Sequence, residues 1–319
     1  MRSDRAILLV NTGSVAEPTP AAVRAFLAQF LNDPLVMKLP WIKRQCLLHA
    51  IVLRTRPPKV ARMYEEIWGE DDLSPLHRHS VGLQRALQNK VGDSAHVLTA
   101  MRYGEPCIRE AVRKLKRLRI RQLAIFPLYP QFSEATTLTA VREVERCLKR
   151  EKLFFQTSRT LAPFFSQSEY IDALYERSVG YLKDFDKLVI SFHGLPQSEA
   201  AERYREQCLS TARSLCTRAG VDFSRAVVCF QSKFGKGRWL EPSTREVLET
   251  LPQKGMRRVV VISPSFVCDS LESLYELGVM GKKIFTEAGG TRFTLVPCLN
   301  DFPRFVAFLA RQAEKLLEQ

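Results

Sequence analysis

The sequence predicts an α/β fold made of two similar Rossmann-like domains, each a four-stranded parallel sheet flanked by helices. Three observations predict it. Short aliphatic and β-branched runs, the mark of strands buried on both faces, recur along the chain. Segments with helical periodicity stand between them, the alternation expected of parallel sheets covered by helices. The runs also fall into two sets with related punctuation, as an old duplication would leave them.

The first set is ILLV (Ile7 to Val10), AHVLTA (Ala95 to Ala100), QLAIFPLY (Gln122 to Tyr129) and FFQTSR (Phe154 to Arg159). The second is KLVISF (Lys187 to Phe192), AVVCF (Ala226 to Phe230), RVVVIS (Arg258 to Ser263) and RFTLVP (Arg292 to Pro297). Helical spacing is clearest over Ile108 to Leu118 and Tyr204 to Arg218. The expected division is residues 1–160, rejoined by the C-terminal helix 301–319, and residues 161–300. Between its first and second strands the first domain carries an insertion at about 18–87. There Ala22 to Leu31 is amphipathic, and Leu35 to Ile42 is apolar and broken by Pro40. Two readings of that stretch stand: a helix packed on the sheet, or an apolar lip that could also rest on a membrane surface.

At 319 residues the chain is long enough for two medium domains. Lys and Arg outnumber Asp and Glu by 48 to 34, a formal charge of +14, which suits an anionic partner. The densest basic run, Arg113 to Gln122, reads as the solvated end of a helix; no aromatic residues interleave it, so no nucleic-acid partner is expected. No apolar run reaches about eighteen residues and the start lacks signal-peptide features, so a cytoplasmic location is expected. The eight cysteines are scattered without a CxxC pair and read as reduced, mostly buried side chains. Dinucleotide, NTP and α/β-hydrolase readings lose support, because G-x-G-x-x-G, Walker A and G-x-S-x-G motifs are missing where they would be needed.

In open parallel sheets ligands bind beyond the carboxyl ends of the strands, so strand-end residues are the candidates for chemistry. His193 follows KLVISF directly and precedes Gly194-Leu195-Pro196. Glu272 lies in SPSFVCDSLESLYE; the spacing from Asp269 to Glu272 permits a capping box, while Glu276 one turn on would line the same helix face and suit a proton or metal path. Arg102 and Tyr103 in AMRYGEP, and Gln231 to Lys233 with Trp239 close behind, suit a planar acidic ligand or an ordinary packed core equally well.

Taken together, LLVNTGS, KVARMYEEIW, AMRYGEP, PLYPQFSEATT, SFHGLP, FQSKFGKGRWLEP, DSLESLYE and VPCLND resemble ferrochelatases, from Leu8 to Asn300. The resemblance implies a chelatase that inserts Fe2+ into protoporphyrin IX or a close relative with release of two protons, in the final steps of haem biosynthesis. By the same resemblance His193 and Glu272 are the catalytic and iron-handling pair, and Asp269 and Glu276 stand behind Glu272 on the proton or metal path. Thr12, Tyr64, Arg102, Tyr103 and Trp239 fall on positions that line the family's porphyrin pocket. Iron is then a substrate, and no cofactor is required. No iron–sulfur cluster is expected either, since Glu134 stands where some relatives have a cysteine and the chain stops at Gln319 without clustered Cys ligands. The chain departs from the pattern at Met280, where many relatives continue an acidic ridge, and after SFHGLP, where the usual Gly-Asp-Pro is missing. Rival readings are a cobalt or nickel chelatase of another tetrapyrrole and a non-catalytic tetrapyrrole carrier.

Overall fold

The structure, a computed structural model, describes residues 3–233 and 237–318. It contains two compact units: Met1–Tyr129 with Glu134–Ala162 and Val306–Gln319, and Pro130–Ser133 with Pro163–Phe305.

In the first unit four strands, β1 (Arg5–Asn11), β2 (His96–Met101), β3 (Gln122–Pro127) and β4 (Thr157–Thr160), form a parallel sheet in the order β2-β1-β3-β4. The second unit repeats the plan. Its strands β5 (Lys187–His193), β6 (Ala226–Gln231), β7 (Arg258–Ile262) and β8 (Arg292–Leu295) run parallel in the order β6-β5-β7-β8. The first strand of each set thus lies inside its sheet, and every residue of β1 from Ala6 to Asn11 is buried. That double-sided burial is why these strands read as unbroken aliphatic runs.

Helices cover the sheets through the apolar stripes that their periodicity announced. Ile108–Arg117 lays Ile108, Ala111, Val112 and Leu115 on a core that includes Leu8, Val10 and Val144. Its basic end folds onto the close of the next helix: Arg109 and Arg113 each donate to Glu151 Oε1 at 3.0 Å, and Lys116 Nζ to the Glu151 carbonyl at 2.9 Å. In the second unit Val189, Val247, Leu248, Val261, Leu277 and Phe285 form the corresponding cluster.

One strand begins later than expected. The Phe154–Phe155 pair suggested a start at Phe154, yet Phe154 is 83% exposed and pairing with β3 begins at Thr157. Aromatic composition marked the approach to the strand, whereas ladder hydrogen bonds define the strand itself.

The insertion folds into helices at Pro20–Asn32, Trp41–Leu47, Pro57–Glu65 and Pro75–Val91, with a π-turn at Leu48–Val52. Thr19 and Ser74 cap the first and last of these through Ala22 N–H and His77 N–H, each with proline at the first helical position. Leu39, Trp41, Ile42 and Ile51 are exposed, Trp41 and Ile42 by about two thirds. Among the described residues no helix is long and apolar enough to cross a membrane.

Candidate active site

Where a central strand has neighbours reached by connections on opposite sides, the loops diverge and leave a crevice at the carboxyl end of the sheet. In the second unit that point lies between β5 and β7, and His193 is the last residue of β5. Its backbone N–H donates to Ser265 Oγ beyond β7 at 3.2 Å, and its ring lies 6.1 Å from that of Phe266. The imidazole is half-buried, with Nδ1 2.7 Å from the Gly194 carbonyl oxygen. A carbonyl can only accept, so Nδ1 carries the hydrogen and Nε2 keeps the basic lone pair. Gly194 is required by close approach: a Cβ there would stand 2.7 Å from the Gln231 carbonyl oxygen and 3.4 Å from Trp239. Trp239 is half-buried, and its backbone bridges Pro196 just past His193.

Glu272 opens a ten-residue π-helix, Glu272–Gly281. Its Oε2 accepts from Ser270 Oγ at 2.8 Å, and its carbonyl accepts from Gln231 Nε2 at 3.0 Å. Gln231 pairs with His193 across the β5–β6 ladder, accepts the Gly194 N–H at 2.8 Å through its carbonyl, and accepts from Ser191 Oγ at 2.7 Å through its side chain. A single buried glutamine therefore ties the His193 turn to Glu272. Glu276 Oε2 accepts from Ser232 Oγ at 2.5 Å, and Ser232 holds a left-handed backbone with φ +65°. Such a conformation costs a non-glycine residue about 1–3 kcal/mol and persists where the surroundings enforce it.

Asp269 is placed differently from its neighbours on the expected path. It is buried, and its carboxylate accepts from Ser273 Oγ at 2.8 Å, Asn300 Nδ2 at 2.7 Å and the Cys298 N–H at 3.3 Å. The capping box that the spacing permits does not form, because Asp269 receives a side-chain hydroxyl while the residue preceding the helix, Leu271, supplies no cap. Asp269 thus anchors the acidic helix to the segment after β8.

The remaining candidates meet at the carboxyl end of the first unit's sheet. Thr12, just past β1, has its hydroxyl 3.1 Å from the Tyr129 hydroxyl, and the Tyr64 hydroxyl lies 3.0 Å from Ser14 Oγ. The Arg102 and Tyr103 N–H groups donate to the carbonyls of Asn11 and Thr12 at 2.8 and 2.9 Å. This zipper needs Gly13, at φ +98°, since a Cβ there would fall 1.8 Å from the Tyr103 carbonyl oxygen. Tyr64 and Tyr103 are buried, 6% and 2% exposed, so little of either ring remains for a ligand in this arrangement. Arg102 donates from Nε to Thr139 Oγ1 at 2.8 Å and from Nη2 to Asp33 Oδ2 at 2.6 Å.

The family profile described as Ferrochelatase matches residues 4–317. A ferrochelatase of Azotobacter vinelandii is 40% identical over 97% of this chain and 98% of its own length. The chain belongs to the ferrochelatase family. Another ferrochelatase, from Pseudomonas aeruginosa strain LESB58, is also 40% identical, over 98% of both chains. Among solved structures, the sirohydrochlorin chelatase SirB from Bacillus subtilis subspecies spizizenii, in complex with cobalt, superposes with a TM-score of 0.60 at 13% identity, covering 100% of this chain and 96% of its own. CbiX, the terminal enzyme for siroheme biosynthesis in denitrifying bacteria, superposes at 0.52 with 14% identity over 98% and 100%. At these identities the two structures show a shared fold, and the sequence relatives carry the family.

In this ferrochelatase the structure adds Asp33 and Thr139, which sequence reasoning did not select, and gives Gln231, already a strand-end candidate, its linking role. The first two sit in a helix end and a helix start that look solvated from spacing alone. The centre of FQSKFGKGRWLEP, residues 234–236, lies outside the described residues.

Proposed function

We propose that the chain inserts Fe2+ into protoporphyrin IX or a close relative at the carboxyl end of its C-terminal sheet, with His193 and Glu272 as the catalytic pair. The observation that carries this reading is the fixed His193 ring, whose Nδ1–H is held by Gly194 O. Its Nε2 is the nitrogen able to take a pyrrole proton or to hold iron as its waters leave. Two N–H protons leave the macrocycle as one Fe2+ enters, so charge and atoms balance with no redox step. The reading calls for no nucleotide, flavin or iron–sulfur cluster. Glu272, half-buried beside Ser270, takes the second proton, and Glu276 on Ser232 receives it for release. Asp269, engaged on three sides, holds that helix in place.

In this reading Trp239 backs the porphyrin site on the second unit, and Thr12, Tyr64, Arg102 and Tyr103 are the porphyrin-binding residues of the first. The exposed Leu39, Trp41, Ile42 and Ile51 support peripheral contact with a membrane, where an apolar porphyrin would be met.

The test is an anaerobic insertion assay offering Fe2+, Co2+ and Ni2+ against protoporphyrin, coproporphyrin and sirohydrochlorin. Fe2+ with one of the two porphyrins is expected to turn over fastest. His193→Ala should lose about 100-fold or more in kcat while still binding porphyrin. Preference for sirohydrochlorin, or porphyrin binding without turnover in the wild-type protein, would overturn the reading in favour of another chelatase or a carrier.

A further inference from the structure

We propose that Asp33 is a positioning residue of the porphyrin site, setting the Arg102–Tyr103 turn and the entry to the apolar lip through one buried carboxylate. This inference rests on the functional reading above and adds a residue to it.

Asp33 is 8% exposed and follows directly on the helix Pro20–Asn32. A carboxylate there meets the negative end of the helix dipole, so local helix stability argues against it. The compensation comes from elsewhere. Oδ2 accepts from Arg102 Nη2 at 2.6 Å, Tyr103 OH at 2.9 Å and Thr139 Oγ1 at 2.5 Å, and Oδ1 accepts from Leu35 N–H at 2.8 Å. Three donors crowd Oδ2, while Oδ1 meets only the Leu35 N–H, and the whole carboxylate is buried behind them. Asp33 therefore acts through the groups it holds.

Those groups lead two ways. Thr139 also accepts from Arg102 Nε, so two guanidinium nitrogens are locked, and the guanidinium carbon sits 4.5 Å from the centre of the Tyr103 ring. In the other direction, Oδ1 holds the Leu35 N–H at the start of the turn that leads to Leu39, Trp41 and Ile42, beside the bonds that the Asp33 backbone carbonyl accepts from Val36 and Met37 N–H. A residue that violates its local preference while fixing a strand-end loop and a surface segment together is the pattern expected of a site support. With its charge offset by Asp33, Arg102 is held as part of the wall and does not fork a free carboxylate.

The test is porphyrin affinity, read by fluorescence quenching without iron, together with steady-state kinetics. Asp33→Asn keeps an acceptor for Leu35 but turns one position into a donor facing Arg102. Protoporphyrin Kd and KM are expected to rise about tenfold or more, while KM for Fe2+ stays within about threefold. On an Arg102→Met background the same change should have a clearly smaller effect, because the Asp33–Arg102 contact is then already lost while the bonds to Tyr103, Thr139 and Leu35 remain to be perturbed. Thr139→Val, which keeps the ion pair, should raise the porphyrin Kd in the same direction by less, and it carries the test if Asp33→Asn does not fold. Wild-type porphyrin affinity in both variants, or independent effects of Asp33→Asn and Arg102→Met, would overturn the proposal. A wild-type protein that neither binds porphyrin nor inserts iron would instead sink the functional reading, and this inference with it.

Discussion

The side-chain amide of Gln231 lies 3.0 Å from the carbonyl oxygen of Glu272, joining the strand beside His193 to the first residue of the acidic helix. Both proposed proton acceptors therefore belong to one unit and share one buried support. Gln231→Leu removes the donor to Glu272 and the acceptor for Ser191, whose hydroxyl keeps Thr244 Oγ1 at 2.8 Å, so the loss is about 1–3 kcal/mol in all. The expected outcome is a lower melting temperature and a fall in kcat of about tenfold or more, with porphyrin KM changed less. Thermal unfolding beside steady-state kinetics measures both.

Gly13 tests the zipper between the first two strand ends. Gly13→Ala must either move the Tyr103 carbonyl or abandon φ +98°, so a loss of about 3 kcal/mol or more is expected. Chemical denaturation of the two proteins would show it. An unchanged midpoint would mean that the loop relaxes freely.

Asp33 also makes a statement about acid. Burial opposes its ionisation, but hydrogen bonds from Thr139, Leu35 N–H and Tyr103, with the charge of Arg102, outweigh it and hold the carboxyl below its usual range. A depressed carboxyl contributes stability that is present above its unfolded value, about 3.9, and is lost as pH falls through the lower folded one. Stability should therefore decline below about pH 4, and Asp33→Asn should flatten that part of the curve while lowering the plateau by about 3 kcal/mol, since Arg102 is left without its partner. Melting temperatures from pH 2 to 7, on the order of one reading per half unit, would separate the two effects.

The lip predicts a surface behaviour. Replacing Trp41 and Ile42 by Ser removes two exposed apolar side chains from the helix start and should weaken binding to anionic vesicles by about tenfold or more, leaving insertion into detergent-solubilised porphyrin within about twofold. Vesicle sedimentation checks the first expectation and the solution assay the second. Equal sedimentation of both proteins would remove the lip from membrane contact.

How far the sequence carried the fold depended on what kind of force placed each residue. Ile7 to Val10 and Leu188 to Phe192 are buried on both faces, so composition alone revealed them, and His193 was legible as the residue where such a run ends. Phe154 misled because apolar character marks what can be buried, while pairing decides what is strand. Tyr103 was named as a strand-end residue and Tyr64 from family position, and only packing showed their rings enclosed. Asp33 and Thr139 are 106 residues apart, and no local pattern announces a carboxylate whose side-chain partners come from two distant segments. The π character of Glu272–Gly281 was equally hidden, since an acidic residue every fourth position suits an ordinary helix as well.

That π segment has a consequence for how the chain can vary. Each of its turns closes over one residue more than an α-helical turn would. Deleting a single residue between Glu272 and Glu276 would let one turn relax to α geometry, and the narrower turn would take up the gap, so the residues beyond it would keep nearly the same facing. Glu276 would then stay on the side of Ser232. Shortening by one position should therefore be tolerated better in this stretch than in an ordinary helix, where the same deletion turns everything beyond it by about 100°.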